Sequence, residues 1–389
     1  MPLIYIKLVL SDRYTVKNIG YFVAGENIQW YFLKMKALIL LLLLNISFAK
    51  EPRVSLNEAQ KAGFSPVTYS KSPLKSAQRL QHAELEWPFE RPYSEGLIGN
   101  NFAQFQPYTI PGYHGGLDMI LEKHSWVTAP ISGRLEAGHY TYTEHEDGTS
   151  TKHWKAWPSS GPSAYFEVAV IDENNLRYEL HHIDKGSLTD EVISQLKSNS
   201  ATIKKGQRVG RVYKWGTFFH YHHVHLNVVT ETGEHLNPES FFRQIKDNKA
   251  PVVKILAKYE DKSVWFNEGD KLNKRPKSFI IIGHDKKNNN KFNQVPTYFR
   301  LSINGEDISI YDFRMSHKNQ DNKFADIRDV YPQRVTLPNG DVLKHNTGYY
   351  PNGVNFMVEL LVPKDAGPGQ VELTISDNAQ NDTIIKGNI

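Results

Sequence analysis

Hydrophobic and polar residues alternate through most of this chain, which is the period of a strand rather than a helix. In a strand from Tyr165 to Ile171, Phe166, Val168 and Val170 share one face. Asn174-Asn175 marks a turn, and Leu176 to Ile183 resumes as a strand. Trp126 to Pro130 runs into the turn Ile131-Ser132-Gly133. The turn Lys204 to Gln207 precedes a strand at Arg208 to Val212, and Val224 to Val229 is another strand. A short helix near Pro238 to Gln244 closes this region, which opens at Trp87-Pro88-Phe89. After a linker near Asp247 to Pro251, short strands resume from Val252 to Ile389. Hairpin turns stand at Asn304-Gly305 and Asn339-Gly340, since both residue types tolerate positive φ. Phe356 to Val362 and Val371 to Ile375 are strands. No helical pattern intrudes, and the spacing predicts a β-sandwich. The tract Lys286 to Lys291 reads as a solvated loop.

One stretch breaks the rhythm. His139 to Ser163 holds Tyr140, Tyr142, Trp154 and Trp157 among polar residues and glycines. It fits either a long functional loop or a decorated surface hairpin.

A length of 389 residues allows two or three domains. Hydrophobic and charged fractions are those of a soluble globular protein. The net charge of +4 and pI of about 8.8 suit an anionic polymer such as a cell wall. They are too weak, without an arginine stripe, to argue nucleic-acid binding. There are no cysteines, which excludes disulfides, thiolate metal sites and cysteine nucleophiles. Met35-Lys36, the leucine run Leu40 to Leu44 and Ser47-Phe48-Ala49 form an export signal over 35–49. Residues 1–34 are expected to be an upstream extension, with translation starting at Met35. The apolar run falls short of the about 20 residues of a membrane span, the alternative being an N-terminal anchor. A lipoprotein is excluded, since no cysteine can carry the lipid. Residues 50–86 read as a linker or short pro-segment, with a helical possibility near Ser76 to Leu85.

Three clusters carry candidate chemistry. In Tyr113-His114-Gly115-Gly116-Leu117-Asp118, the glycines and Pro111 disfavour a helix and predict a loop entering a strand. In His222-His223-Val224-His225-Leu226-Asn227-Val228, a strand sends His223, His225 and Asn227 to one face and Val224, Leu226 and Val228 to the other. In Tyr178-Glu179-Leu180-His181-His182, the same alternation puts Leu180 and His182 together and His181 opposite. Two His and one Asp make a catalytic zinc set that leaves the fourth position to water. A further imidazole, His223 or His182, can move a proton or stabilise an oxyanion. Taken singly, each histidine fits a structural or surface role as well as a ligand's. His220, His222, His223 and His225 together also fit adventitious metal binding.

These clusters stand in an order that resembles the lysostaphin-like, or LytM-type, zinc metallopeptidases of bacterial cell walls. His114 to Asp118 fits their His-x-Gly-x-Asp, and His223-Val224-His225 fits their His-x-His, with Asn227 where the family usually has Glu. Trp126 to Gly133 resembles Pro-Val-x-Ala-Pro-x-x-Gly. Ile203 to Gly210 resembles Val-Lys-x-Gly-Gln-x-Val-Gly, and Asn237-Pro238-Glu239 resembles the domain's usual end. The likeness covers roughly Trp87 to Ile245. It implies one Zn2+ held by His114, Asp118 and His225, with His223 and a strand histidine catalytic. The family's Tyr-x-His-Leu aligns with Leu180 to Ile183 and picks His182, with His181 as the alternative. Departures are the aromatic Gly216 to His222 before the His-x-His, Leu180 in the Tyr place, and the His139–Ser163 insertion. They bear on peptide specificity rather than on the metal. The C-terminal region resembles the Ig-like sandwich often appended to such peptidases. Ser376 to Asn381 matches its Asp-x-Ala-Gly-Asn signature, with Gln380 in the Gly place.

The expected fold class is mainly β: an antiparallel, lysostaphin-like peptidase domain over 87–246, then an Ig-like β-sandwich over 251–389. The expected function is an exported zinc endopeptidase, periplasmic or secreted, that hydrolyses peptide cross-links of peptidoglycan. The expected partners are peptidoglycan peptides, with no nucleic acid and no membrane span once the signal is cleaved. The rivals are a non-catalytic wall-binding regulator using the same groove and a metallopeptidase acting on a protein substrate.

Overall fold

Among the described residues, the strands pair into antiparallel ladders. This computed structural model describes residues 85–89, 97–106, 112–144, 150–158, 166–214, 222–242, 247–288, 290, 292–314, 327–344 and 356–389. The expected signal at 35–49, the upstream extension, nearly all of the linker 50–86 with its helical possibility, and the aromatic stretch 215–221 lie outside these residues.

The chain is mainly β. Its largest sheet runs Thr202–Ile203, Gly133–Glu144, Glu167–Ile171, Arg177–His181, His222–Val229, His235–Leu236. Leu117–Leu121 also pairs with His222–Val229, and Ser150–Ala156 with Gly133–Glu144. The alternation makes this sheet two-faced. Leu135, Ala137, Val168, Val170, Tyr178, Leu180, Val224, Leu226 and Val228 enter one buried apolar cluster. A smaller sheet of Trp126–Thr128, Arg208–Val212 and Ile183–Asp184 gives Val127, Val209, Val212 and Ile183 to the same cluster. The opposite face of the large sheet carries the polar residues described below.

The His139–Ser163 stretch resolves toward the hairpin. Gly138 to Glu144 pairs with Ser150 to Ala156 residue for residue. Tyr140 and Trp154 are partners in that register, with ring centroids 4.9 Å apart. A helix at Asp190–Leu196 had not been expected. Thr189 caps it by accepting from the Val192 N–H at 3.2 Å, and Asp190 and Glu191 fill its first turn. That cap, with Val192, Ile193 and Leu196 spaced behind it, was the overlooked signal. Near Pro238, a 3-10 turn at Pro238–Ser240 stands where a helix was expected, and 243–244 lie outside the described residues.

Among the described residues of 252–389, two four-stranded sheets share one core, and Arg334–Thr336 pairs with Val342–Lys344 as a separate two-stranded sheet. One four-stranded sheet runs Ser263–Phe266, Val252–Lys258, Ser278–His284, Phe356–Leu361. The other runs Glu306–Asp312, Tyr298–Ile303, Gln370–Ser376, Asp382–Asn388. Asn304 and Gly305 turn the second sheet's hairpin with φ of 53° and 80°. Gln380 has φ of 65°, so it takes the left-handed backbone for which glycine is the usual residue.

Two expectations for this region fail. A short helix, Ile327–Val330, lies within it, and Ile327 and Val330 are buried in the sandwich core. The Lys286–Lys291 tract is not simply solvated. Lys287 and Asn290 are buried, and the Lys287 ammonium pairs with Glu239 at 3.1 Å. Charge-rich composition predicts exposure only where no buried counter-charge waits, and here one does.

The core of the sandwich also takes in earlier residues. Phe102, Ala103, Phe105 and Tyr113 pack in it. The Tyr331 hydroxyl donates to the Ala103 carbonyl at 2.9 Å. The segment leading to His114 is therefore pinned against the C-terminal sheets. No helix among the described residues is long and apolar enough to cross a membrane.

Candidate metal centre

Sheet register sets the site. Asp118 lies directly across from His225 on one side, and His181 lies directly across from it on the other. Paired residues share a face, so all three point away from the apolar core. His114 arrives from the loop before this strand. Gly116 lets that loop approach closely. A Cβ there would lie 2.3 Å from the Leu226 carbonyl oxygen and 2.8 Å from His225 Nε2.

His114, Asp118 and His225 each present one ligand atom, and the three atoms lie within 4.8 Å of one another. His114 Nε2 is 3.2 Å and His225 Nδ1 is 2.9 Å from the same oxygen, Asp118 Oδ1. The surrounding hydrogen bonds decide the tautomers. His114 Nδ1–H donates to the Asn101 carbonyl at 3.0 Å, which leaves Nε2 as a lone pair. The Asn227 amide donates to Glu179 Oε2 at 3.1 Å, so its Oδ1 accepts from His225 Nε2–H at 2.7 Å. That leaves His225 Nδ1 as a lone pair as well. The Asn100 amide donates to Asp118 Oδ2 at 2.9 Å and leaves Oδ1 facing both rings.

Three acceptor atoms thus converge with no donor hydrogen among them when both imidazoles are neutral. Such a set requires a cation between its members, either protons or a metal. The donor types and the backing by carbonyl and amide fit a three-ligand zinc site. Burial acts to raise the Asp118 pKa. When protons rather than a metal lie between them, the charges of His223 and His114 and hydrogen bonds from the protonated His114 and His225 rings outweigh it, holding the carboxyl well below the usual carboxylate range.

Behind the centre lies a buried ionic lattice. Arg177 donates to Glu179 Oε1 and Glu167 Oε1, each at 2.8 Å, and also bonds Glu136. His181 belongs to this lattice. Its Nδ1 is 3.4 Å from Glu167, and its Nε2 is 3.3 Å from Glu179 and 3.0 Å from the Asn227 amide. Glu167, Glu179 and His181 also offer three atoms within 4.8 Å of one another, but Arg177 already supplies their positive charge.

His182 departs from the expected alternation. It has φ of 64°, the strand ends at His181, and Leu180 is buried in the core. The left-handed residue turns the His182 ring away from Leu180's face to stand 4.8 Å from the His223 ring, edge on. His223 is itself buried, with Nε2 3.7 Å from Asp118 Oδ1. His222 lies partly buried on the strand, and burial together with Lys123, His124 and Lys214 lowers its pKa. His220 lies outside the described residues.

The structure brings together His114, Asp118, His223, His225 and His182. Sequence reasoning missed the supporting Asn100, Asn101, Glu167 and Arg177. An Asn-Asn pair reads only as a turn signal, and a lone glutamate on a strand carries no mark of its partner.

No family model matches the chain, and no curated protein matches it. Among solved structures, Helicobacter pylori Csd3 aligns with 43% of this chain and 37% of its own at 19% identity, with a TM-score of 0.27. A zinc-containing peptidase from Vibrio cholerae aligns with 42% of this chain and 41% of its own at 15% identity, with a TM-score of 0.28. Lysostaphin aligns with 74% of this chain and 86% of its own at 11% identity, with a TM-score of 0.25. The chain thus spans well under half the length of the first two.

Proposed function

We propose that this chain is an exported zinc-dependent endopeptidase that hydrolyses peptide cross-links of peptidoglycan. The observation that carries the reading is the convergence of His114 Nε2, Asp118 Oδ1 and His225 Nδ1, each prepared as an acceptor by a buried partner. These three residues would hold the ion. Zinc in such a site polarises a carbonyl and brings the pKa of water toward neutrality.

The chain's own residues divide the remaining work. Asn101 and Asn227 hold the two imidazole tautomers, and Asn100 orients the Asp118 carboxylate. His223 and His182, ring to ring beside the centre, move the proton and donate to the peptide oxygen as it gains charge. His181, tied into the glutamates, buttresses His225 through Asn227. The peptidase activity belongs to 87–246 and the sandwich to 251–389. The basic net charge suits an anionic wall. The ordered motifs and the 35–49 signal support export to it.

The test uses protein lacking residues 1–49, measuring zinc content and digesting purified peptidoglycan with mass spectrometry of the products. One zinc per chain and new amino termini are expected. His225→Ala loses both, whereas His223→Ala and His182→Ala keep zinc and lose cleavage. Cleavage that survives His225→Ala, or protein that binds no zinc, overturns the reading. Wall binding without cleavage in the zinc-loaded parent favours a non-catalytic regulator instead.

A further inference from the structure

A second cluster of acidic groups lies away from the histidines, where the linker meets the sandwich. Asp247, Asp285 and Asp377 place one carboxylate oxygen each within 4.8 Å of one another. They come from three separate segments: the linker, the residue after the Ser278–His284 strand, and the turn after Gln370–Ser376. Asp285 and Asp377 are each 1% exposed. Asp247 is partly exposed as a residue, but its Oδ2 is buried.

Proximity of carboxylates alone does not make a site. The second observation is that both carboxylate oxygens of Asp285, and Asp247 Oδ2, are buried without a hydrogen-bond partner. A buried carboxylate with neither oxygen satisfied costs free energy unless a proton or a cation meets it. Burial pushes the Asp285 carboxyl up to about 7, with Lys287 opposing and Asp377, Asp247 and Glu239 adding to the rise. Lys287 does not complete the neutralisation. Its ammonium pairs with Glu239, and none of the three aspartates is in an ion pair among the described residues. Four carboxylates face one ammonium.

The rest of the cluster is already shaped. Asn381 donates from its backbone N–H to Asp377 Oδ1 at 2.9 Å and from its amide to Oδ2 at 2.8 Å. The same amide reaches the Asp247 carbonyl at 3.3 Å. Asp247 Oδ1 accepts from the Lys249 and Asn288 N–H groups at 3.2 and 3.3 Å. The segments are thus held in place, with both Asp285 oxygens and Asp247 Oδ2 left unpartnered beside Asp377.

We propose that Asp247, Asp285 and Asp377 bind a calcium ion that fastens the linker to the sandwich. The donors are all oxygen, as a hard cation requires. They sit on irregular backbone between strands, which suits calcium's loose coordination better than the strict octahedron of magnesium. The ion replaces the proton that Asp285 otherwise needs. Through Glu239 and Lys287 it also reaches the 3-10 turn that follows the first region's last strand. The site is independent of the zinc reading.

The test uses the full chain with zinc present and calcium removed by a chelating resin. Calcium chloride is then titrated against equilibrium dialysis with radioactive calcium and against thermal melting. One calcium per chain is expected, with a Kd on the order of 10⁻⁴ to 10⁻³ M or tighter, and a melting temperature that rises with calcium but not with magnesium. Asp285→Asn and Asp377→Asn are each expected to weaken calcium binding more than tenfold while zinc content stays constant. Without calcium, Asp285→Asn is expected to melt no lower than the parent, since it removes an unpaired buried carboxyl. Absence of binding at millimolar calcium, equal stabilisation by magnesium, or unchanged affinity in Asp285→Asn overturns the proposal. The first two of these need only the parent protein.

Discussion

The Asn101 side chain grips the backbone of Val295, donating to its carbonyl at 2.7 Å and accepting from its N–H at 3.1 Å. The carbonyl of the same Asn101 receives the Nδ1–H of His114. A residue of the loop that leads into the Tyr298–Ile303 strand therefore holds the residue that orients a candidate ligand. Gln294 beside it donates to the Ile98 and Gly99 carbonyls at 3.3 and 3.0 Å. The sandwich is part of the scaffold of the candidate centre.

Asn101→Ala leaves the acceptor carbonyl in the chain but releases its anchor. Zinc affinity is expected to fall by roughly 10- to 100-fold, the usual effect of losing a group behind a ligand. Competition against a chromophoric chelator measures this. Unchanged affinity would show that the hold on Val295 does not reach His114.

Gly116→Ala tests the close approach of the loop to the His-x-His strand. The added Cβ would meet Leu226 backbone at 2.3 Å and Asn227 Oδ1 at 2.5 Å. Neither the backbone nor the hydrogen-bonded amide has room to give. A destabilisation of about 1–3 kcal/mol is expected from overpacking, together with loss of bound zinc. Denaturant melts and metal analysis read the two effects separately.

Asn227 stands where the resembled family carries Glu, and the structure supplies the reason. Its amide must donate to the buried Glu179 carboxylate while its oxygen accepts from His225. Asn227→Asp keeps the shape but turns the donor into an acceptor facing another carboxylate. A loss of about 1–3 kcal/mol is expected. Asn227→Asp combined with Glu179→Gln restores a donor between the two positions and recovers part of it. A double-mutant cycle by urea unfolding checks this.

The Asp285 carboxyl, raised by burial to about 7, predicts a pH dependence in calcium-free protein. Its folded pKa exceeds the ordinary value near 3.9. The folded state therefore binds the proton more tightly. The resulting stabilisation is full below the unfolded pKa and lost as pH rises through the folded one. Asp285→Asn removes this group's share, so its melting temperature should gain on the parent's between about pH 5 and about pH 8. A constant difference across that range would contradict the assignment.

The sequence by itself determined the alternating strands, the hairpin at Asn304-Gly305 and the faces of His223, His225 and Val224 to Val228. These follow from period 2 and from turn chemistry, which are encoded within a few residues. It also brought His114 and Asp118 forward as ligand types, with glycines beside them that let the backbone fold both side chains toward one point. Only the tertiary structure decided where the His182 ring goes, since one residue at positive φ cancels an alternation that every neighbour obeys. It alone showed His181 held among Glu167, Glu179 and Asn227, and Lys287 drawn inside by Glu239. Asn101 finds its partner 194 residues away. Burial and long-range pairing depend on what the rest of the chain packs against each residue, and no local pattern carries that information.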